Sequence, residues 1–223
     1  MIKVRIQHRP GRESLGRLLW QLPVSTWIGD QVVEVIEDAG EPANPMRGYR
    51  LCLTDLPDEG HVAVIQDDCT VCQNFVPACE LIAEHNPDTP VALFMSKFPR
   101  RTHNMALLKH GRSRYVDTHT QDLVHVCGIL WPVHKAREFI DWIDENPKKI
   151  RGEQLSTSDD ANVTRWMQLT RQRIRCSIPS LVQHPDDVPS IVNQAKVKGG
   201  ADSGRTAAFW IGDGDPLELD WSR

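Results

Sequence analysis

Asp67 and Asp68 stand side by side at the end of a short apolar run, His61-Val62-Ala63-Val64-Ile65-Gln66. The run reads as a buried strand, and two adjacent carboxylates at its end repel each other and are costly to desolvate. They either face water at a turn or share something cationic. A divalent cation holding a diphosphate uses carboxylate oxygens and an open coordination shell, and a strand end supplies such ligands on a rigid element. Far along the chain, Asp159-Asp160 follow Ser156-Thr157-Ser158 and open an apolar-periodic stretch. That pattern is a helix cap in its plain reading, and acidic residues suit a helix N-terminus. Taken alone, His184 before Pro185 is a turn histidine.

These residues must be positioned by a scaffold. The spacing predicts strands over 2–7, 31–36, 61–66 and 90–95 and helices over 12–21, 46–56 and 75–85, the last capped by Asn74. Such alternation implies an α/β fold, with a mainly parallel central sheet and flanking helices. Ligands of open parallel sheets bind beyond the carboxyl ends of the strands. Gln7, Glu37-Asp38 and Gln66-Asp67-Asp68 all fall at such ends. The second half is less regular: strand and turn over 122–132, helices over 133–145 and 158–173, strand and turn over 174–184. Residues 196–223 read as a Gly- and Asp-rich arm.

Composition sets outer limits. The chain has 223 residues, 40% hydrophobic and 25% charged, with a net charge of −4. No apolar run approaches a membrane span, and the alternating Met1–Ile6 lacks the apolar core of a signal peptide, so a cytoplasmic protein without membrane contact is expected. The charge excludes a global basic field, but residues 97–114 carry Lys97, Arg100, Arg101, Lys109, Arg112 and Arg114 with no acid. That stretch is either a solvated face or a surface for phosphates. Cys69 and Cys72 form C-x2-C, but no second pair follows at zinc-finger spacing. Trp20, Trp27, Trp131 and Trp142 read as core or rim packing, with Trp131 also placed to stack on a sugar or base beside Gly128.

Taken in order, these segments resemble the GT-A fold glycosyltransferases, Rossmann-like enzymes that use nucleotide-sugar donors, over roughly residues 1–211. "HVAVIQDDCTVCQNF" is similar to their strand ending in the metal-binding DxD motif, with Gln66 in place of its first carboxylate. The resemblance implies a single domain over 1–223, with a nucleotide-sugar half (1–96), an acceptor-side half (97–195) and a C-terminal arm (196–223). It implies Asp68 and His184 as ligands of Mn2+ or Mg2+, the latter from the likeness of "PSLVQH". It also implies a donor site of Gln7, His8, Arg9, Glu37 or Asp38, Gln66, Asp67 and Arg205. Asp160, with Asp159 beside it, is implied as the catalytic base of an inverting transfer. Acceptor contacts are expected at Arg100, Arg101, Gly128 and Trp131.

The expected activity is sugar transfer from a nucleoside diphosphate sugar, a UDP-sugar first, to an acceptor hydroxyl. Similarity to small bacteriophage enzymes of this type implies DNA bearing hydroxymethylated pyrimidines as one acceptor and a protein or glycan as another. A non-catalytic DNA- or protein-binding domain of the same fold stays open, with Gln66 then marking lost catalysis. A zinc-stabilised binding module is the third class.

Overall fold

Alternation along the first strand, β1 (Ile2–His8), lets it serve a core and a site together. Ile2, Val4 and Ile6 are buried on one face, and Lys3, Arg5 and Gln7 fall on the other. Arg5 is buried yet fully engaged: its Nε donates to Glu34 (2.8 Å), and its Nη1 and Nη2 donate to the carbonyls of Cys52 (3.2 Å) and Asp55 (3.1 Å). That pairing offsets the cost of burying a guanidinium.

The computed structural model describes residues 2–22, 33–96, 100–146, 157–185 and 206–223. After β1 come α1 (Ser14–Gln21), β2 (Val33–Glu37), α2 (Pro45–Leu51), β3 (His61–Gln66), β4 (Thr70–Val71), α3 (Phe75–His85) and β5 (Val91–Ala92). The second half adds α4 (Arg100–Lys109), β6 (Tyr115–Asp117), β7 (Gly128–Pro132), α5 (Val133–Glu145), α6 (Asp159–Thr170), β8 (Arg175–Ser177) and β9 (Val182–Gln183). The described residues thus form an α/β protein whose seven-stranded sheet has the order β2-β1-β3-β7-β5-β8-β6. β1, β2, β3, β5 and β8 run one way, while β7 and β6 run the other. β4 and β9 pair separately as a short antiparallel ribbon.

The sheet is covered on both faces. Val4, Ile6, Ala63 and Ile65 pack with α1 and α3 through Leu18, Phe75 and Ile82. Val62, Val64, Ile129 and Trp131 pack on the opposite side with Tyr49, Phe139 and Trp166 of α2, α5 and α6. Both layers therefore reach the carboxyl ends of β1 and β3 from opposite directions. No helix among the described residues is long and apolar enough to cross a membrane.

The ribbon crosses the start of β7 closely. A Cβ added at Gly128 would lie 2.7 Å from Val182 Cγ2, below any normal contact. Gly128→Ala is expected to cost about 1–3 kcal/mol in urea unfolding, the usual range for overpacking. Adding Val182→Ala, which removes the offending methyl, recovers part of that loss.

Several sequence expectations are corrected. The helix expected over 46–56 ends at Leu51, short of the proline, and the strand expected over 90–95 keeps ladder pairing only at Val91–Ala92. Leu93 instead receives Leu181 and Val182 N–H groups at 2.9 and 3.1 Å, so the extended chain continues by bonding across to the later segment. The strand expected within 122–132 is confined to β7 and runs antiparallel, and α4, β6 and β4 are additional elements. Trp20 is 91% exposed and packs in no core.

Candidate functional site

Gln66 and Cys69 close a turn, with the Cys69 N–H donating to the Gln66 carbonyl at 3.1 Å. Asp67 and Asp68 are its two central residues, so the carboxylates do sit at a turn. They are nevertheless buried, and a cation lies between them. Arg12 Nη1 is 2.5 Å from Asp67 Oδ1 and 3.0 Å from Asp68 Oδ2. Asp67 Oδ2 also meets His8 Nδ1 (2.8 Å) and accepts the Arg9 backbone N–H (3.0 Å). The Asp67 side chain therefore organises the loop after β1, with both oxygens engaged by protein.

Asp68 faces a second partner, His184 Nε2, at 3.3 Å. Burial raises its pKa, but bonding to His184, the charge of His184 and Arg12 together hold it below the ordinary carboxylate range. His184 Nδ1 is 2.9 Å from the Pro185 carbonyl oxygen, which can only accept, so Nδ1 carries the hydrogen. Nε2 then confronts a carboxylate oxygen. That contact is favourable only with positive charge there, as a second imidazole proton or a bound cation.

Sheet periodicity places the next layer. Gln7 and Gln66 are register partners on the face opposite His8 and Asp67. Their amides point at α6. Gln66 Nε2 donates to Asp159 Oδ2 at 3.1 Å, and Gln7 Nε2 approaches the same oxygen at 3.5 Å and donates to the Pro45 carbonyl at 2.9 Å. Gln7 Oε1 is buried without a partner among the described residues. Ser158 caps α6 by accepting the Ala161 N–H, so the sequence reading of a cap and of a site residue both apply to this turn. Asp159 is nearly sealed, and burial first and the Asp160 charge second push its pKa up to about 7. Asp160 is more open: its Oδ1 accepts the Val126 N–H at 2.7 Å and its Oδ2 is 3.8 Å from His125 Nδ1.

β2 supplies the remaining acid. Asp38, just beyond its end, accepts Arg47 Nε (2.8 Å) and the Gly40 N–H (3.1 Å). Burial raises its pKa, yet these bonds and the Arg47 charge bring it below the usual value. Glu37, the other candidate at this strand end, is exposed and lines no part of the cavity. Of the two acids, Asp38 is the one that lines the cavity.

A cavity of about 230 Å³ joins these groups: Gln7, His8, Arg9, Asp38, Gln66, Asp67, Asp68, Asp159 and Asp160 all line it. Its other walls are Arg12, Ala43, Asn44, Pro45, Gly48, Thr157 and Ser158, which sequence reasoning missed. Arg12 had a legible signal: a basic residue just before a helix N-terminus opposes the helix dipole and calls for another partner. Gly48 had none, because its role is spatial: a Cβ there would come within 3.2 Å of the Gln7 amide nitrogen.

Other expected site residues lie elsewhere. Arg100 and Arg101 are exposed on α4 and do not line the cavity. Gly128 is packed beneath Val182. Trp131 is corrected to a core residue: it is fully buried, donates Nε1 to Tyr49 Oη at 2.8 Å and stacks on Phe139, leaving no face for a sugar. Trp142 is half-buried and stacks on Phe139. Arg205 and Trp27 lie outside the described residues.

Among the described residues, no group of three or more His, Cys, Asp and Glu side chains is arranged to hold a metal by itself. Asp68 and His184 form a pair of such side chains, 3.3 Å apart, with Arg12 against the same Asp68 oxygen. All six cysteines are free thiols, and burial pushes Cys72 up to about 12, far from a ready thiolate ligand. No protein-family model matches the chain, and no curated protein matches its sequence.

Proposed function

We propose that the protein is a GT-A-type glycosyltransferase that moves a sugar from a nucleoside diphosphate sugar, a UDP-sugar first, to an acceptor hydroxyl. The observation that carries this reading is the convergence of Asp159 and Asp160 on the carboxyl ends of β1 and β3, beside Asp68, in one cavity. The buried orphan acceptor Gln7 Oε1 adds to it, since such atoms are normally satisfied and a ligand N–H or O–H would do so.

In this reading Asp38, Gln7 and Gly48 border the nucleoside, and Asp68 with His184 would hold Mn2+ or Mg2+. When bound, the ion neutralises charge developing on the leaving diphosphate. The acceptor oxygen bonds to the anomeric carbon as the bond from that carbon to the diphosphate oxygen breaks. The nucleoside diphosphate departs with the electron pair. Asp160, the more accessible carboxylate, takes the acceptor proton, and direct attack inverts the anomeric centre. Asp159 is held by the Gln66 amide behind it and fixes the turn that presents Asp160.

Hydroxymethylated pyrimidines in DNA are the first acceptor to try, on the strength of the exposed basic residues Arg100, Arg101, Lys109 and Arg112. A base within a duplex would have to be flipped out.

Calorimetric titration of UDP and UDP-glucose, with and without Mn2+, tests the donor half. Wild type is expected to bind UDP tighter with Mn2+ by tenfold or more, and Asp68→Ala to lose that gain. Absence of binding by every common nucleotide in the presence of Mn2+ would sink the proposal.

A further inference from the structure

Resting on the nucleotide reading above, we propose that Arg12 is the diphosphate-binding cation of this site, and that it competes with a divalent ion for the acidic pair Asp67-Asp68. A single nitrogen, Nη1, serves both Asp67 Oδ1 and Asp68 Oδ2. Among the described residues its Nε and Nη2 meet no acceptor, although the side chain is largely buried and lines the cavity. Three unused N–H donors of a planar guanidinium facing an acidic cleft are the wrong equipment for carboxylates already bonded through Nη1. They are the right equipment for a second anion with several oxygens.

Electrostatics sets the direction. Asp67 and Asp68 cannot both stay ionised and buried without a cation, and Arg12 supplies it. A divalent ion arriving alone must share Asp68 Oδ2 with a guanidinium 3.0 Å away, so like charges oppose it. A diphosphate arriving with the ion offers Arg12 new oxygens. Arg12 can then turn toward them while Asp68 is released to the metal. The loop suits such a movement: Arg12 follows Gly11, which has a positive φ of 87° and open space around its α-carbon. Metal and nucleotide are therefore coupled through one side chain. Each binds better with the other than alone.

The test uses the full chain with Mn2+, UDP and uridine as probes, on wild type, Arg12→Gln and Arg12→Lys. Mn2+ binding is followed without nucleotide by electron paramagnetic resonance, and UDP and uridine binding by calorimetry. Arg12→Gln is expected to bind Mn2+ alone about tenfold tighter and UDP with Mn2+ at least tenfold weaker, with uridine within twofold of wild type. Arg12→Lys keeps the charge, guards against a folding failure in Arg12→Gln, and should restore UDP binding to within about tenfold of wild type. If wild type binds UDP with Mn2+ and both variants match it, the inference falls and the functional reading stands. If wild type binds no nucleotide, the functional reading falls and takes the diphosphate role with it. Mn2+ affinity unchanged in Arg12→Gln overturns the competition by itself.

Discussion

Asp67→Ala is expected to lower the free energy of unfolding by about 3–5 kcal/mol, the range for removing one member of a buried ionic cluster. The residue is 1% exposed, and its carboxylate receives Arg12, His8 and the Arg9 N–H. Truncation orphans a backbone donor and leaves a half-buried guanidinium with only Asp68. The damage centres on the β1–α1 loop, where Pro10 and Gly11 provide no side-chain bonding to compensate. Asp67→Asn should cost distinctly less, because its amide oxygen still accepts the Arg9 N–H. Urea unfolding of the two variants reads the difference. Equal stability of Asp67→Ala and wild type would show that the cluster is relaxed in solution and that Arg12 holds no fixed position.

Asp159→Asn carries the second large effect, and its sign depends on pH. Burial and the Asp160 charge lift the Asp159 pKa in the fold from 3.8 to about 7. The folded chain therefore binds more protons than the unfolded one between those values, and stability falls as pH rises through the window. An asparagine has no such titration. Its amide oxygen can accept the Asp160 N–H, and its amide nitrogen can meet Gln66 after that side chain rotates. At pH 8 the variant is expected to be more stable than wild type by about 2–4 kcal/mol, from the cost of ionising a shifted carboxyl. At pH 4 the two should nearly coincide. Thermal melts across pH 4–8 measure the gap, and a gap independent of pH would remove Asp159 from the ionisation argument.

The α/β class and the strand-end location of Gln7, Asp38 and Gln66-Asp67-Asp68 were legible because apolar periodicity and breakers are local signals. The amphipathic α5 was legible for the same reason, with Val133, Ala136, Phe139 and Ile143 buried along one stripe. Short pieces held by distant partners were not. β6 has three residues and depends on β8, and the β4–β9 ribbon joins segments more than a hundred residues apart. α4 was missed because its buried positions are only Thr102 and Ala106, too few to mark a face.

For the site, sequence alone determined which carboxylates exist and which strand ends and helix N-terminus carry them. It left Glu37 against Asp38 open, and only the bend after β2 decided it, by turning Asp38 inward onto Arg47 and Gly40. It posed the question of what neutralises Asp67 and Asp68. Tertiary structure answered with Arg12, from a loop 55 residues upstream of Asp67. Trp131 could be a rim or a core residue by pattern, and the packing of α5 and α6 over β7 made it core. Residue type and local period are written in the chain, whereas the partner of a charge is set by distances between segments far apart in it, and those exist only once the sheet has brought them together.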